Sequence, residues 1–223
     1  MHQRVISIKT TVRWMSAYLI ICGIIPALLN EMLWKTISNG SSAAWLHLFT
    51  LIALNSIFIF VLIKKYQLNV GVFRRVSLNG VLLGCGSAIL FFLVLDKFLD
   101  PLLDRVFVAS AEEYRQTIAQ LRRYPVINFI RVCLMAPVVE EILIRGCILN
   151  SLQDKYGIAP ALLLSTFFFS VLHFNFVQTI SALVCGLILG LLYIKTGALV
   201  SCILAHSLYN IISYLSVIGP VNL

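Results

Sequence analysis

Charged residues are scarce in this chain of 223 residues. They make up 12% of the sequence, while 60% of the residues are hydrophobic. Soluble domains average about 25% charged and about 45–50% apolar residues. The composition therefore excludes an ordinary soluble domain and predicts an all-α, polytopic membrane protein. Because the net charge of +8 fits Lys and Arg in cytoplasmic loops, we expect a lipid bilayer and no nucleic acid as partner.

Several motifs of well-known chemistry are also missing. The six cysteines form no CxxC pair, so neither a disulfide framework nor a thiolate zinc site is indicated. The HExxH spacing of soluble zinc proteases is absent. No serine lies in a recognisable nucleophile setting, which disfavours a Ser/His/Asp triad. No internal repeat is visible, and this counts against an inverted-repeat transporter.

Long apolar runs are what the chain does contain. A membrane span needs about 20 mostly apolar residues. Seven segments meet this need: residues 14–33, 44–63, 79–95, 126–152, 158–176, 179–194 and 198–218. We expect one structural domain, in which residues 1–125 form the N-terminal helices and residues 126–223 form a catalytic four-helix core. The short loops place the N-terminus in the cytoplasm by the positive-inside rule.

Residues 96–124 differ from the spans, because they mix acidic and basic side chains. Leu102, Val106, Ile118 and Leu121 are spaced loosely as one helical face. This pattern predicts an amphipathic helix at the membrane interface or a helical extension outside the membrane. A solvated connector also fits it. An eighth crossing here would invert the last four helices, so their orientation stays open.

Two adjacent carboxylates and a guanidinium interrupt the apolar segment 126–152. A charge at membrane depth is costly, so such residues face a protein interior and mark function. Glu141 and Arg145 are four residues apart on one helix face and are placed to pair. Glu140 lies about 100° around the helix from Glu141. The spacing therefore predicts a structural ion pair and one carboxylate that has no local partner.

Two later segments carry further polar groups at helical spacing. Phe169 precedes His173 by four residues, and His206 precedes Asn210 by four. Glu140 and the two histidines are a ligand set that a catalytic zinc could use, with water in the fourth position. Alternatively, Glu140 and His173 hold and deprotonate a water without a metal. His206 and Asn210 then donate hydrogen bonds to a developing oxyanion.

At these residues the chain resembles the CPBP family of intramembrane proteases, which groups CAAX-processing proteases with bacteriocin-processing and immunity proteins (the Abi group). The family pattern is EExxxR, then FxxxH, then HxxxN or HxxxD, on successive helices. The matching positions are Glu140, Glu141, Arg145, Phe169, His173, His206 and Asn210. The resemblance covers about residues 126–215. It implies about eight membrane helices, a catalytic cavity among the last four, and peptide-bond hydrolysis in or near the membrane.

The resemblance also implies residue roles. Glu140 would be the general base, and His173 would help to hold the water. His206 and Asn210 would stabilise the oxyanion or help to bind a metal. The supporting residues would be Glu141, Arg145 and Phe169. We favour a site without a tightly bound metal, and Zn²⁺ held by Glu140, His173 and His206 is the alternative.

Three functions follow from this pattern. The leading one is an intramembrane endopeptidase of a bacterial cytoplasmic membrane. Its substrate would be a membrane-associated peptide or protein, in CAAX-type, leader-peptide or bacteriocin processing. The second is a non-catalytic membrane protein that binds a bacteriocin and confers immunity. The third is a transporter or proton relay built on the buried Glu and His residues. The sequence indicates no oligomeric state.

Overall fold

A computed structural model describes residues 6–218 of the chain, and this part is all-helical. Its eight helices are α1 (Ile8–Ile37), α2 (Gly40–Tyr66), α3 (Leu78–Val106), α4 (Val108–Arg123), α5 (residues 125–156), α6 (Ile158–Ser170), α7 (Phe176–Thr196) and α8 (Leu199–Ile218). No strand occurs among residues 6–218. The predicted fold class is confirmed. Residues 1–5 of the predicted N-terminal part and residues 219–223 of the predicted catalytic core lie outside the described part.

Five helices, α1, α2, α3, α7 and α8, are long and apolar enough to cross a membrane. The chain is an integral membrane protein. The predicted span 158–176 is too long, because α6 ends at Ser170 and residues 171–175 form a turn. With 13 residues, α6 is about 20 Å long at 1.5 Å per residue. The hydrocarbon core of a bilayer is about 30 Å thick, so α6 alone cannot cross it.

The predicted single amphipathic face of residues 96–124 is wrong. The first part of this segment continues α3 as far as Val106, and the remainder forms α4. Between them the backbone of Phe107 leaves helical geometry, with φ −109° and ψ 62°. This break separates the two halves of the face. Leu102 is exposed on α3, whereas Ile118 and Leu121 are half-buried on α4 and line an internal cavity.

A buried hydrogen-bond cluster joins α4 to the start of α7. The Ser110 hydroxyl lies 2.8 Å from Oδ1 of Asn175, and Nδ2 of Asn175 donates to the Ser110 carbonyl at 2.8 Å. The backbone N–H of Val177 donates to the same hydroxyl at 3.1 Å. Asn175 also caps α7, since its side chain accepts from the backbone of Gln178. The cluster therefore holds α4 against the helices that follow.

Helix α5 is irregular where it carries the adjacent glutamates. Ala136–Glu141 is α-helical, and wider π-helical turns lie on both sides, at Ile130–Met135 and Ile142–Leu149. Pro137 has no N–H to donate and so interrupts regular helical bonding. Membrane helices tolerate proline because such local adjustments satisfy the freed backbone groups. π-Helical turns inside longer helices are frequent at functional sites.

Helices α3 and α8 approach each other closely through small residues. Gly80 and Gly84 of α3 both face Ser201 of α8. A Cβ atom at Gly84 would lie 2.8 Å from the Ser201 carbonyl oxygen, which is too close for van der Waals contact. Small residues four apart allow membrane helices this close approach. The contact brings α8 against the other helices of the bundle and so helps to position His206.

Candidate active site

Glu141 and Arg145 form a buried ion pair within α5. Nη1 of Arg145 lies 2.7 Å from Oε1 of Glu141, and their side chains are 1% and 0% exposed. The spacing of four residues predicts this pair, and it is present. Nη2 of Arg145 also donates to the Gly186 carbonyl of α7 at 3.0 Å. The pair therefore links α5 to α7 as well as neutralising its own charges.

The ion pair also includes His206 of α8, which the spacing did not predict. Nδ1 of His206 lies 3.0 Å from Oε1 of Glu141, the oxygen that binds Arg145. A carboxylate oxygen only accepts hydrogen bonds, so Nδ1 carries the proton. The other ring nitrogen, Nε2, lies 4.0 Å from Oε2 of Glu140. Glu141 thus orients His206 so that Nε2 faces the second glutamate.

Phe169, near the end of α6, is the aromatic centre of the site. Its ring centroid lies 5.2 Å from that of His173 and 5.6 Å from that of His206. The guanidinium carbon of Arg145 lies 4.5 Å from the same ring, which is cation–π geometry. Phe169 is 1% exposed. Its ring therefore sets the spacing between the two imidazoles and the buried arginine.

The sequence predicts His173 on a helix. In the structure it lies instead in the turn after α6. Its Nδ1 lies 3.2 Å from the Phe169 carbonyl oxygen. Since a carbonyl only accepts, Nδ1 is the donor, and Nε2 has no hydrogen-bond partner among the described residues. The Thr179 hydroxyl donates to the His173 carbonyl. The turn is therefore fixed on both sides of the imidazole.

Asn210 connects α8 to α5. Its Nδ2 donates to the Val132 carbonyl at 2.9 Å, and the Cys133 thiol donates to the Asn210 carbonyl at 3.5 Å. The carboxamide nitrogen carries two hydrogens, so one N–H remains after the bond to Val132. Asn210 is thus held by α5 while it keeps a donor for a further partner.

One cavity of about 560 Å³ brings the predicted residues together. Glu140, His173, His206 and Asn210 all line it, and the Glu140 side chain is 18% exposed. The cavity was predicted among the last four helices. It extends further, because α2, α3 and α4 also supply lining residues, among them Leu51, Asp100 and Tyr114.

The sequence of residues 122–212 matches the model of a protein family described as type II CAAX prenyl endopeptidase Rce1-like. This part of the chain is similar to the Rce1-like family. The match spans all three motifs and confirms the resemblance to the CPBP proteases. Comparisons with curated proteins and with solved structures return no match. This similarity supports an intramembrane endopeptidase of CAAX type in general.

Several residues that line the cavity or lie beside it precede the Rce1-like segment and were not predicted. On α3, Asp96 accepts from the Tyr209 phenol at 2.8 Å, and Asp100 accepts from the Ser181 hydroxyl. The sequence does contain a signal for these residues. Asp96, Asp100 and Asp104 are spaced four residues apart, which places three carboxylates on one helix face. On α4, burial and the nearby Asp96 and Asp100 raise the pKa of Tyr114 to about 12. Its phenol is therefore neutral at physiological pH.

A zinc site in the Rce1-like segment would need three ligands that converge on one point. Glu140 and Nε2 of each histidine have the right chemistry. However, no group of three His, Cys, Asp or Glu side chains in residues 6–218 converges closely enough to hold a metal ion. Nδ1 of each histidine is engaged by backbone or by Glu141, a contact that metal-bound histidines also make. Within residues 6–218 it is the spacing of these side chains that does not match a preformed metal centre.

Proposed function

We propose that this protein is an intramembrane endopeptidase that hydrolyses a membrane-associated peptide of CAAX type with a water activated by Glu140. The observation that carries the proposal is the approach of Glu140 to His206 across the cavity wall. Oε2 of Glu140 lies 4.0 Å from Nε2 of His206, while Glu141 is engaged by Arg145 and His206. One of the two adjacent carboxylates is structural, and the other faces the cavity.

A separation of 4.0 Å is too long for a direct hydrogen bond, but one water molecule can bridge it. In the proposed reaction Glu140 takes a proton from this water as the water oxygen attacks the peptide carbonyl carbon. The carbonyl oxygen becomes an oxyanion. Glu140 then gives the proton to the amide nitrogen, the C–N bond breaks, and an acid and an amine are released. No metal takes part in this scheme.

The two histidines are suited to different tasks. The Nδ1 proton of His173 is held by a carbonyl, so the free Nε2 of the neutral ring accepts from the water and orients it. The Nδ1 proton of His206 is held by the Glu141 carboxylate, which stabilises positive charge on the ring. In the form that carries a proton on both ring nitrogens, His206 donates from Nε2 to the oxyanion. The remaining N–H of Asn210 is a second donor.

The substrate class follows from the family and from the size of the cavity. Ligand cavities in proteins measure about 300–1,000 Å³, and the present cavity of about 560 Å³ suits a short extended peptide. Its walls lie within a bundle of apolar helices, so the peptide should enter from the membrane. A lipid-anchored peptide meets both conditions.

The test is cleavage of a lipid-modified CAAX-type peptide by the purified protein in lipid vesicles. Glu140→Gln should lower the cleavage rate by at least 10²–10⁴-fold, since this is the typical loss on removing a general base. Glu112→Gln is the matched control, because Glu112 is an exposed residue of α4 that pairs with Arg115. It should cleave at the normal rate. Equal cleavage by wild type and Glu140→Gln would refute the proposal.

A further inference from the structure

One cationic side chain faces the cavity and has no counter-charge. Arg131 of α5 is the one Lys or Arg among the described residues that line the cavity. No carboxylate in residues 6–218 forms an ion pair with it. Its Nε is buried and has no hydrogen-bond acceptor within the same range. A buried guanidinium nitrogen without an acceptor is costly, so this position on the cavity wall suits an anionic ligand.

We infer that Arg131 binds the free C-terminal carboxylate of the peptide substrate. This inference rests on the proposed function and names a residue that selects the substrate. The planar guanidinium presents paired N–H donors that match the two oxygens of a carboxylate. Such a contact would neutralise Arg131 only when a substrate is bound. A peptide with a blocked C-terminus has no carboxylate and would not make this contact.

The position of Arg131 on α5 sets the distance to the scissile bond. Arg131 precedes Glu140 by nine residues of the same helix (140 − 131), which is at most about 13 Å along the axis at the rise of an α-helix, since the wider turns at Ile130–Met135 rise less per residue. Both side chains line the same cavity. An extended peptide covers about 3.3–3.6 Å per residue. The distance therefore accommodates three or four residues between the bond that is cut at Glu140 and the carboxylate at Arg131.

The charges around the cavity also fix the direction of the bound peptide. Glu140 and Asp100 are acidic lining residues and repel a carboxylate from their part of the wall. Arg131 attracts it to the other end of the α5 wall. The peptide should therefore lie with its C-terminus at Arg131 and its lipid-modified part beyond Glu140. A lipid phosphate is another anion that Arg131 could bind, and the experiment separates the two.

The experiment compares two lipid-modified peptides of one sequence, one with a free C-terminus and one with a C-terminal amide. Wild-type protein in neutral phosphatidylcholine vesicles should cleave the free acid with a kcat/KM about 10–100-fold higher, the usual effect of one charged hydrogen-bonded contact. Arg131→Gln should remove this preference, mainly through KM. Arg115→Gln, in an exposed pair on α4, should retain the preference.

Other outcomes overturn the inference. If wild type cleaves acid and amide equally, Arg131 does not bind the carboxylate. If Arg131→Gln loses activity on both peptides, and only in vesicles that contain anionic lipid, Arg131 binds a lipid phosphate. Binding to the Glu140→Gln variant separates this inference from the proposed function. Tighter binding of the acid than of the amide supports the inference even if wild type cleaves neither peptide, and equal binding refutes it.

Discussion

Glu141 holds Nδ1 of His206 at 3.0 Å and thereby determines that Nε2 faces Glu140. The same Glu141 oxygen binds Arg145, so one buried carboxylate neutralises a guanidinium and orients an imidazole. The adjacent glutamates consequently have separate tasks. Variants of Glu141 should affect folding and geometry together, whereas variants of Glu140 should affect only the reaction.

Glu141→Gln should lower the free energy of unfolding by about 3–5 kcal/mol, because it leaves the Arg145 charge buried without a partner. The double variant Glu141→Gln, Arg145→Met should recover much of this stability, since it removes both charges. Cleavage should stay low in the double variant, because His206 has lost the carboxylate that orients it. Denaturant unfolding in detergent and peptide cleavage measure the two effects. Recovery of both stability and cleavage would contradict the assigned positioning role.

His173→Ala should lower kcat by about 10²-fold with little loss of stability. The imidazole is half-buried, and its one hydrogen bond in the described structure, to the Phe169 carbonyl, contributes about 0.5–1.5 kcal/mol. His47→Ala provides a control, since His47 of α2 is also half-buried but does not line the cavity. The two variants should differ in their initial cleavage rates. Their melting curves should be similar. A normal rate for His173→Ala would remove His173 from the site.

Gly84→Ala should destabilise the protein by about 1–3 kcal/mol, the usual cost of overpacking. The added Cβ would lie 2.8 Å from the Ser201 carbonyl oxygen and would push α3 away from α8. Gly86→Ala is a closely matched control on the same helix, because no atom lies within 4 Å of its added Cβ. Thermal unfolding in detergent should separate the two variants. Equal stability would mean that the α3–α8 contact is looser than described.

Cleavage should survive prolonged dialysis against strong chelators, because no three ligands converge in the described site. Elemental analysis of the purified protein should find zinc well below one atom per chain. Zinc at one atom per chain that is lost together with activity, and restored with it, would instead establish a metalloprotease.

The local part of the site follows from helical spacing, and the long-range part does not. A separation of four residues predicts that Glu141 meets Arg145, and it does. No spacing along the chain relates Glu141 to His206, which lie 65 residues apart and meet only through helix packing. The unpaired Arg131 was not singled out for the same reason, since its position on the cavity wall depends on the surrounding helices.

The end of α6 was missed although the sequence contains a signal for it. The apolar residues Val171, Leu172, Phe174 and Phe176 continue the hydrophobic run and conceal the turn. Asn175 is the informative residue, because Asn before an apolar run is a typical N-cap. Its side chain does cap α7. Recognition of that cap would have placed His173 in a loop.

The shortness of α6 has a consequence for the supply of water. Every peptide bond that is cut consumes one water molecule, yet hydrocarbon holds almost none. Backbone that is not helical is tolerated at membrane depth only where it is covered by protein or lines a water-filled space. The turn after Ser170 places His173 on the wall of the cavity, whose volume of about 560 Å³ is large enough for several water molecules. Because α6 ends at Ser170, the cavity has room for further water molecules. One of these can replace the water that each cleavage consumes.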